Sequence, residues 1–526
     1  MSAPFLDLSS YLQHLEAVGR LRRVAVPVDK DRELACIARL SLKSHRDREA
    51  YALRFDNVRG HAMPVAVNLY STLEMYAAAL GLVGETGSSA HGSAAVSSGA
   101  CSPGATPLDL GRTVLEHWAL ALDAPLPPVL VECGPVQQLV TRGDAVDLDA
   151  IPAPTWTPGR DAGPYLSAAA VITRDLDTGV QNVASYRVQV HDRRTMGLFF
   201  GSRLQHGAQH LARWAARGEP MPVALMVGGP PVVNFAAAAK TAYGVDEMGI
   251  AGGLAGAPLE VVRGQSVDLH VPARAEMVIE GLVRPGAQRL EGPFGEALGY
   301  MNHAAPALVI EVTAICRREG AVHHGYVQQL PPSDGHLVME LGVLGPLWYY
   351  LTRKLRLPGL RDLAILPGSA GVAALVVQLE RSPDHDAARL GKALAKMNFG
   401  QKFIYLVDDD VDIRDLETVN WVISARVDPA RDIVLVDGTS TFQYDPAVIA
   451  RAVRDGVELG QPPYRCSLAI VDATIKCPVP EVSLPARAAM DAAAARWGEL
   501  GLPPIVPRPR LRRLLDRAGG DADATR

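Results

Sequence analysis

Apolar residues recur at helical spacing through SSYLQHLEAVG, residues 9 to 19, which predicts a first helix with Ser9 or Ser10 as N-cap and Gly19 as C-cap. LRRVAVPVD follows as a strand. The stretch GETGSSAHGSAAVSSGACSPGATP, from residue 84, holds too many small residues to pack as an element and reads as a mobile loop. From about 125 to 320 the period changes. SAAAVITR, VQNVASYRVQV and MGLFF alternate with the turns DLDTG and HDRRT, and PLEVVRG, SVDLHVP, EMVIEGLV and ALVIEVTAIC come later. Strands at that spacing predict a sheet-rich barrel or sandwich, interrupted by one helix, HGAQHLARWAARG, ending at Gly218. From about 323 helix and strand alternate. Ser382-Pro383-Asp384 is an N-cap for a helix running to about Asn398; FIYLV and DIVLV are buried strands, and DIRDLETVNWVISARV lies between them as a helix. The tail from 485 reads as one or two helices and a disordered GGDADATR. No internal repeat is present.

A chain of 526 residues has room for two to four domains, and 48% apolar with 21% charged residues is the balance of a globular protein. With 48 glycines and 39 prolines the chain is turn-rich, in keeping with many short strands. A formal charge of -5 offers no basic stripe, so no nucleic-acid partner is expected. The six cysteines form no C-x-x-C pair, which argues against a disulfide framework or structural zinc and for a reducing compartment. Asp7 and Glu16 interrupt the N-terminal apolar pattern, so it is no signal peptide, and the longest apolar run, GVAALVVQL from 371, is too short for a membrane span. The expected location is the cytoplasm.

Phosphate-loop, dinucleotide and H-E-x-x-H signatures are absent. DDDVD, residues 408 to 412, is either a Mg²⁺ site or a solvated strand-to-helix turn with Asp412 near the N-cap. His206 and His210 stand four apart on a helix, a metal-ligand spacing. Asn182 is an unusual choice within a strand, and Glu260 opens another strand run. Amide, imidazole and carboxylate together make an oxygen-leaning set suited to Mn²⁺ or Mg²⁺. Arg187 follows Asn182 by five residues on one predicted strand, which puts the two on opposite faces unless a bulge intervenes. EGPFGEALGY, residues 291 to 300, sets Glu291 and Glu296 on either side of a tight turn. Two like charges there are either loop decoration or chemistry.

NVASYRVQV, the LQH helix start, VALMVGGPP, LEVVRG, VPARAEMVIEG, EGPFGEALGY, LVDDDVDI and WVISARVDPARD together resemble the UbiD-type decarboxylases, from about residue 10 to the tail. The resemblance implies a central split β-barrel, flavin reductase-like, that binds prenylated FMN. An N-terminal α/β domain and a C-terminal α/β oligomerisation domain flank it. The implied segments are 1–124, 125–322, 323–484 and a helical tail, 485–526. Asn182, Glu260 and His206 (or His210) match the positions that hold Mn²⁺ or Mg²⁺ against the cofactor phosphate, with K⁺ beside it. Ser185, Arg187, Gln205 and Lys396 match further cofactor contacts, although Lys396 also ends a helix, where a cation suits the dipole. Arg187, Glu291 and Glu296 match the catalytic trio. The implied reaction is reversible decarboxylation of an aromatic, heteroaromatic or α,β-unsaturated acid, with the flavin as covalent electron sink and Glu296 as proton donor. A flavin prenyltransferase would supply the cofactor, and a homodimer or homohexamer is expected. The competing readings are an FMN-dependent oxidoreductase on the same barrel and a non-catalytic subunit of a carboxylase complex.

Overall fold

The computed structural model describes residues 4–44, 50–83, 107–327, 330–382, 387–397, 400–440, 444–457, 465–480 and 482–503. The expected loop from 84, the start of the helix after Ser382 and the GGDADATR terminus lie outside them. The chain divides into two compact units, Met1–Arg356 and Leu357–Arg526. No described helix is long and apolar enough to cross a membrane.

The first helix is Leu8–Ala17, and its N-cap is Asp7 rather than a serine. The carboxylate accepts from the Ser10 amide at 2.7 Å, and a charged acceptor there also meets the positive end of the helix. Nearby, Leu21–Val24, Ala52–Phe55, Val65–Val67 and His323–His324 form a four-stranded sheet in that order. The pairing of His323 with Val65 ties the segment beyond 322 to the N-terminal sheet. The helix Asp334–Tyr349 packs in the same unit, with Gly345 against Trp118 of the helix Pro107–Asp123. Residues 323–356 therefore belong with the first unit, not with the α/β segment that follows.

That glycine contact carries a prediction. A Cβ on Gly345 would lie 2.5 Å from the Trp118 ring, which is fully buried. Gly345→Ala should cost about 1–3 kcal/mol by overpacking, read as a lower Tm.

The central element of this unit is a nine-stranded sheet curled into a half-barrel. Its order runs Tyr165–Leu166, Val188–Val190, Thr195–Leu198, Ala305–Arg317, Met277–Glu291, Met221–Val227, Ala170–Arg174 and Gln181–Ser185, with Leu139–Arg142 also on Ala305–Arg317. Val171, Met196, Leu225, Ile279 and Ile310 fill its core. The long hairpin Met277–Glu291/Ala305–Arg317 shifts register at Glu280/Gly281 and Val283/Gln288, irregularities that bend a strand pair.

The run VQNVASYRVQV is not one strand. Gln181–Ser185 pairs with Ala170–Arg174 at one margin of the sheet, while Val188–Val190 pairs with Thr195–Leu198 near the other. The chain crosses the opening of the half-barrel at Tyr186 and Arg187. The parity conflict between Asn182 and Arg187 disappears, because the two stand on different strand segments.

The second unit carries a five-stranded sheet ordered Leu360–Ile365, Ala374–Leu379, Phe403–Asp408, Arg465–Asp472, Ile433–Ser440. Its three central strands are parallel and both edge strands antiparallel. DDDVD is the turn after Phe403–Asp408. Arg426 pairs with Asp408 and Asp410, and the N-cap of the next helix, Leu416–Arg426, is Asp415 rather than Asp412. Lys396 is exposed in the last turn of Ala387–Met397.

Candidate active site

The turn EGPFGE is pinned from three sides. Phe294 is buried with Phe55, Val67, Trp156 and Tyr165 in the core of the N-terminal sheet. Gly292 has φ of 86°, a left-handed conformation glycine adopts without strain, and its amide donates to the Tyr165 hydroxyl at 3.1 Å and the Gln189 carbonyl at 3.2 Å. The Glu296 amide donates to the Tyr300 carbonyl at 2.8 Å, and the Ala297 carbonyl accepts from His336 Nε2 at 2.6 Å. Backbone held at so many points fixes where the two carboxylates can go.

Both go to Arg187. Its Nε and Nη2 donate to the two oxygens of Glu291 at 2.9 and 2.8 Å, a bidentate fork, and its Nη1 donates to Glu296 Oε1. The guanidinium lies 4.4 Å from the centre of the Phe199 ring, a favourable cation–π placement. Asn302 clamps the turn. Its amide nitrogen donates to Glu296 Oε1 at 3.0 Å, and its carbonyl oxygen accepts from the Phe294 amide at 2.6 Å.

The two acids differ in access. Glu291 is 1% exposed and Glu296 23%. Burial pushes the Glu296 pKa up; Arg187 and Asn302 pull it down, and Glu291 adds to the rise. The net shift is upward, so Glu296 holds its proton to higher pH than an ordinary carboxyl. A reaction step needing protonated Glu296 is fully supported below that pKa and fades as pH rises through it. Any activity that draws on that proton should therefore fall on the alkaline side, and a Glu296→Asp variant should move that limb.

A second cluster sits on the margin strand. Asn182, buried, places its carbonyl oxygen 3.1 Å from His206 Nδ1, at the start of the helix His206–Ala216. Glu247 Oε1 is 3.9 Å from the same nitrogen. Its carboxylate is 3% exposed and accepts from the Val183 amide at 2.8 Å and the Thr241 hydroxyl at 3.0 Å. His210 is not part of this set. It is buried, and its Nδ1 lies 2.9 Å from the Thr173 hydroxyl.

Glu260 is not part of it either. It opens a strand of a separate three-stranded sheet, is 45% exposed and pairs with Arg274 at 2.9 Å. The carboxylate that stands beside Asn182 and His206 is Glu247, not the expected Glu260. Ser185 is exposed at the end of its strand, and Gln205 is the N-cap residue of the His206 helix without a side-chain capping bond.

The donor set fits a divalent cation. Among the described residues no three His, Cys, Asp or Glu gather at one point, so the amide of Asn182 completes the trio. Burial pushes the Glu247 pKa up to about 7 against its two hydrogen bonds, and burial with the Lys240 charge lowers that of His206. The Asn182 Nδ2 is buried without a partner. A buried carboxylate without a Lys or Arg ion pair among the described residues, an imidazole and an amide oxygen are the hard and borderline donors that Mn²⁺ or Mg²⁺ takes.

Arg187 thus joins two acids, and Asn182, five residues before it, meets His206 and Glu247 from two neighbouring helices. The chain belongs to the UbiD family of carboxy-lyases. Models of the 3-octaprenyl-4-hydroxybenzoate carboxy-lyase N-terminal, Rift-related and C-terminal domains match residues 12–89, 129–331 and 343–457. An uncharacterised Rhodospirillum rubrum protein from the cooM 5′ region is 33% identical over 445 residues, covering 84% of this chain and 88% of the relative. The UbiD-class enzyme HmfF of Pelotomaculum thermopropionicum, solved with FMN, is 30% identical with a TM-score of 0.75, over 91% of this chain and 97% of that one. An evolved dimeric form of HmfF is solved with prFMN. The 3,4-dihydroxybenzoic acid decarboxylase of Enterobacter cloacae is 25% identical with a TM-score of 0.74, over 94% of this chain and 100% of that one.

Proposed function

We propose that this protein decarboxylates, reversibly, an aromatic, heteroaromatic or α,β-unsaturated carboxylic acid with prenylated FMN on its half-barrel. The observation that carries this reading is Arg187 bridging Glu291 and Glu296 at the opening of the sheet. Loss of CO₂ from an sp² carbon leaves an electron pair that no side chain can hold. The bound flavin supplies that electron sink.

The chain's own residues place and protonate. Arg187 gives its paired donors to Glu291, so its part is to set the two acids relative to one another. Glu296, the more accessible acid with the raised pKa, donates its proton to the carbon that lost CO₂ and takes it back in the reverse direction. Asn302 and Arg187 together hold its carboxyl while that happens. Asn182, His206 and Glu247 would hold Mn²⁺ or Mg²⁺, which would neutralise the flavin phosphate. Ser185, Gln205 and Lys396 as cofactor contacts, K⁺ beside the divalent ion, supply by a flavin prenyltransferase, a flavin reductase-like barrel ancestry and a homo-oligomer built on the second unit rest on the resemblance. The 3,4-dihydroxybenzoic acid decarboxylase makes aryl acids the first substrates to try.

The test is coexpression with a flavin prenyltransferase, followed by mass and visible spectrum of the extracted cofactor and an aryl-acid screen. Prenylated FMN with CO₂ release supports the reading. Unmodified FMN with hydride-transfer activity would replace it with the oxidoreductase.

A further inference from the structure

The turn that carries Glu296 has a cavity on it that the catalytic trio does not line. It measures about 330 Å³, in the lower range of small-molecule sites, and is bounded by Arg39, Arg160, Gly295, Tyr300, Met301 and Leu330, among others. None of Arg187, Glu291, Glu296, Asn182, His206 or Glu247 contributes to its wall.

Its charge is unbalanced. Among the described residues Arg39 makes one side-chain hydrogen bond, to the Trp156 carbonyl at 3.2 Å, and no carboxylate is within ion-pair distance of Arg39 or Arg160, although Asp161 attracts Arg39 from further off. Lys43, one helical turn beyond Arg39, adds a third cation but is engaged with the carbonyls of Leu330, Pro331 and Pro332. The nearby acid, Asp161, is turned to backbone, accepting from the Thr157 amide at 2.6 Å and the Gly295 amide at 3.3 Å. Two arginines thus line a hollow with Tyr300, Met301 and Leu330, and Thr157 and two glycines complete its wall. Such a hollow suits a planar anion with an apolar body.

We propose that this cavity is a second site for small aromatic carboxylic acids, with Arg39 and Arg160 taking the carboxylate and Tyr300, Met301 and Leu330 flanking the ring. Occupancy would be felt at the catalytic acid, because Tyr300 accepts the Glu296 amide and Gly299 donates to the Glu296 carbonyl at 2.9 Å. The ligand class rests on the decarboxylase reading above; the unpaired arginines do not.

The experiment is binding, not turnover. Full-length protein is crystallised and soaked with 4-bromobenzoate, and benzoate and inorganic phosphate are titrated calorimetrically in solution. Expected are a bromine anomalous peak between Arg39 and Arg160, and a benzoate isotherm whose second component weakens about tenfold in Arg160→Gln, the loss of one charge-assisted bond. Arg160 is exposed, so that variant keeps the fold. Bromine found only beside Arg187, a benzoate isotherm unchanged by Arg160→Gln, or phosphate binding as tightly as benzoate would each overturn the proposal. A chain that binds benzoate here yet never releases CO₂ keeps this site and loses the decarboxylase reading.

Discussion

Glu247→Ala should purify with almost no divalent metal and almost no flavin, whereas Glu260→Ala should keep both. The contrast follows from where the two carboxylates stand. Glu247 is buried, held by Val183 and Thr241, and shares His206 with Asn182. Removing it takes one of three donors from the cation, and altering even an outer partner of a metal ligand costs about 10- to 100-fold in affinity. A flavin phosphate held there would then lose its main neutralising charge. Glu260, half exposed and paired with Arg274, forms a surface ion pair, typically within about 1 kcal/mol of neutral. Elemental analysis and the visible spectrum of the two variants, purified side by side, decide between them. Equal flavin and metal in both would remove Glu247 from the site.

Arg187→Met should abolish turnover and also destabilise the protein strongly. Glu291, 1% exposed, would lose both donors of its fork and keep only the Tyr165 hydroxyl, leaving a buried acid without its countercharge, a defect of about 3–5 kcal/mol. The double change Arg187→Met/Glu291→Gln removes that charge as well, so it should regain much of the stability and none of the activity. Denaturant melts and CO₂ release measured on both variants separate the two effects. A stable, inactive single variant would mean that Glu291 is satisfied by other groups.

The two acids were legible in the sequence because EGPFGE sets both on one turn, and a turn's geometry is local. What closes the trio was not. Nothing in VQNVASYRVQV says that its two halves pair at opposite margins of the sheet, since strand register is decided by partners far along the chain. Glu247 was hidden by its own surroundings: Asp246-Glu247 looks like an ordinary helix start, and Asp246 is indeed the N-cap. One signal was available. EMGIAGGLA has no polar face, so the helix had to be buried all round, and its single carboxylate with it. The serines at 9 and 10 and Asp412 lost the caps to Asp7 and Asp415, a shift of a few residues within equally plausible cap residues. His323–His324 joined the N-terminal sheet through a pairing about 260 residues away in sequence, beyond the reach of any local pattern.

The central claim is that Glu296 carries the proton. It is tested most directly by incubating prenylated-FMN-loaded wild type and Glu296→Gln with decarboxylated aryl products in D₂O and following deuterium at the carbon that bore the carboxylate. The account predicts equal flavin and metal content in the two proteins, exchange by the wild type, and exchange slowed by about 10²- to 10⁴-fold in Glu296→Gln. Exchange at the wild-type rate in a fully loaded Glu296→Gln would contradict it.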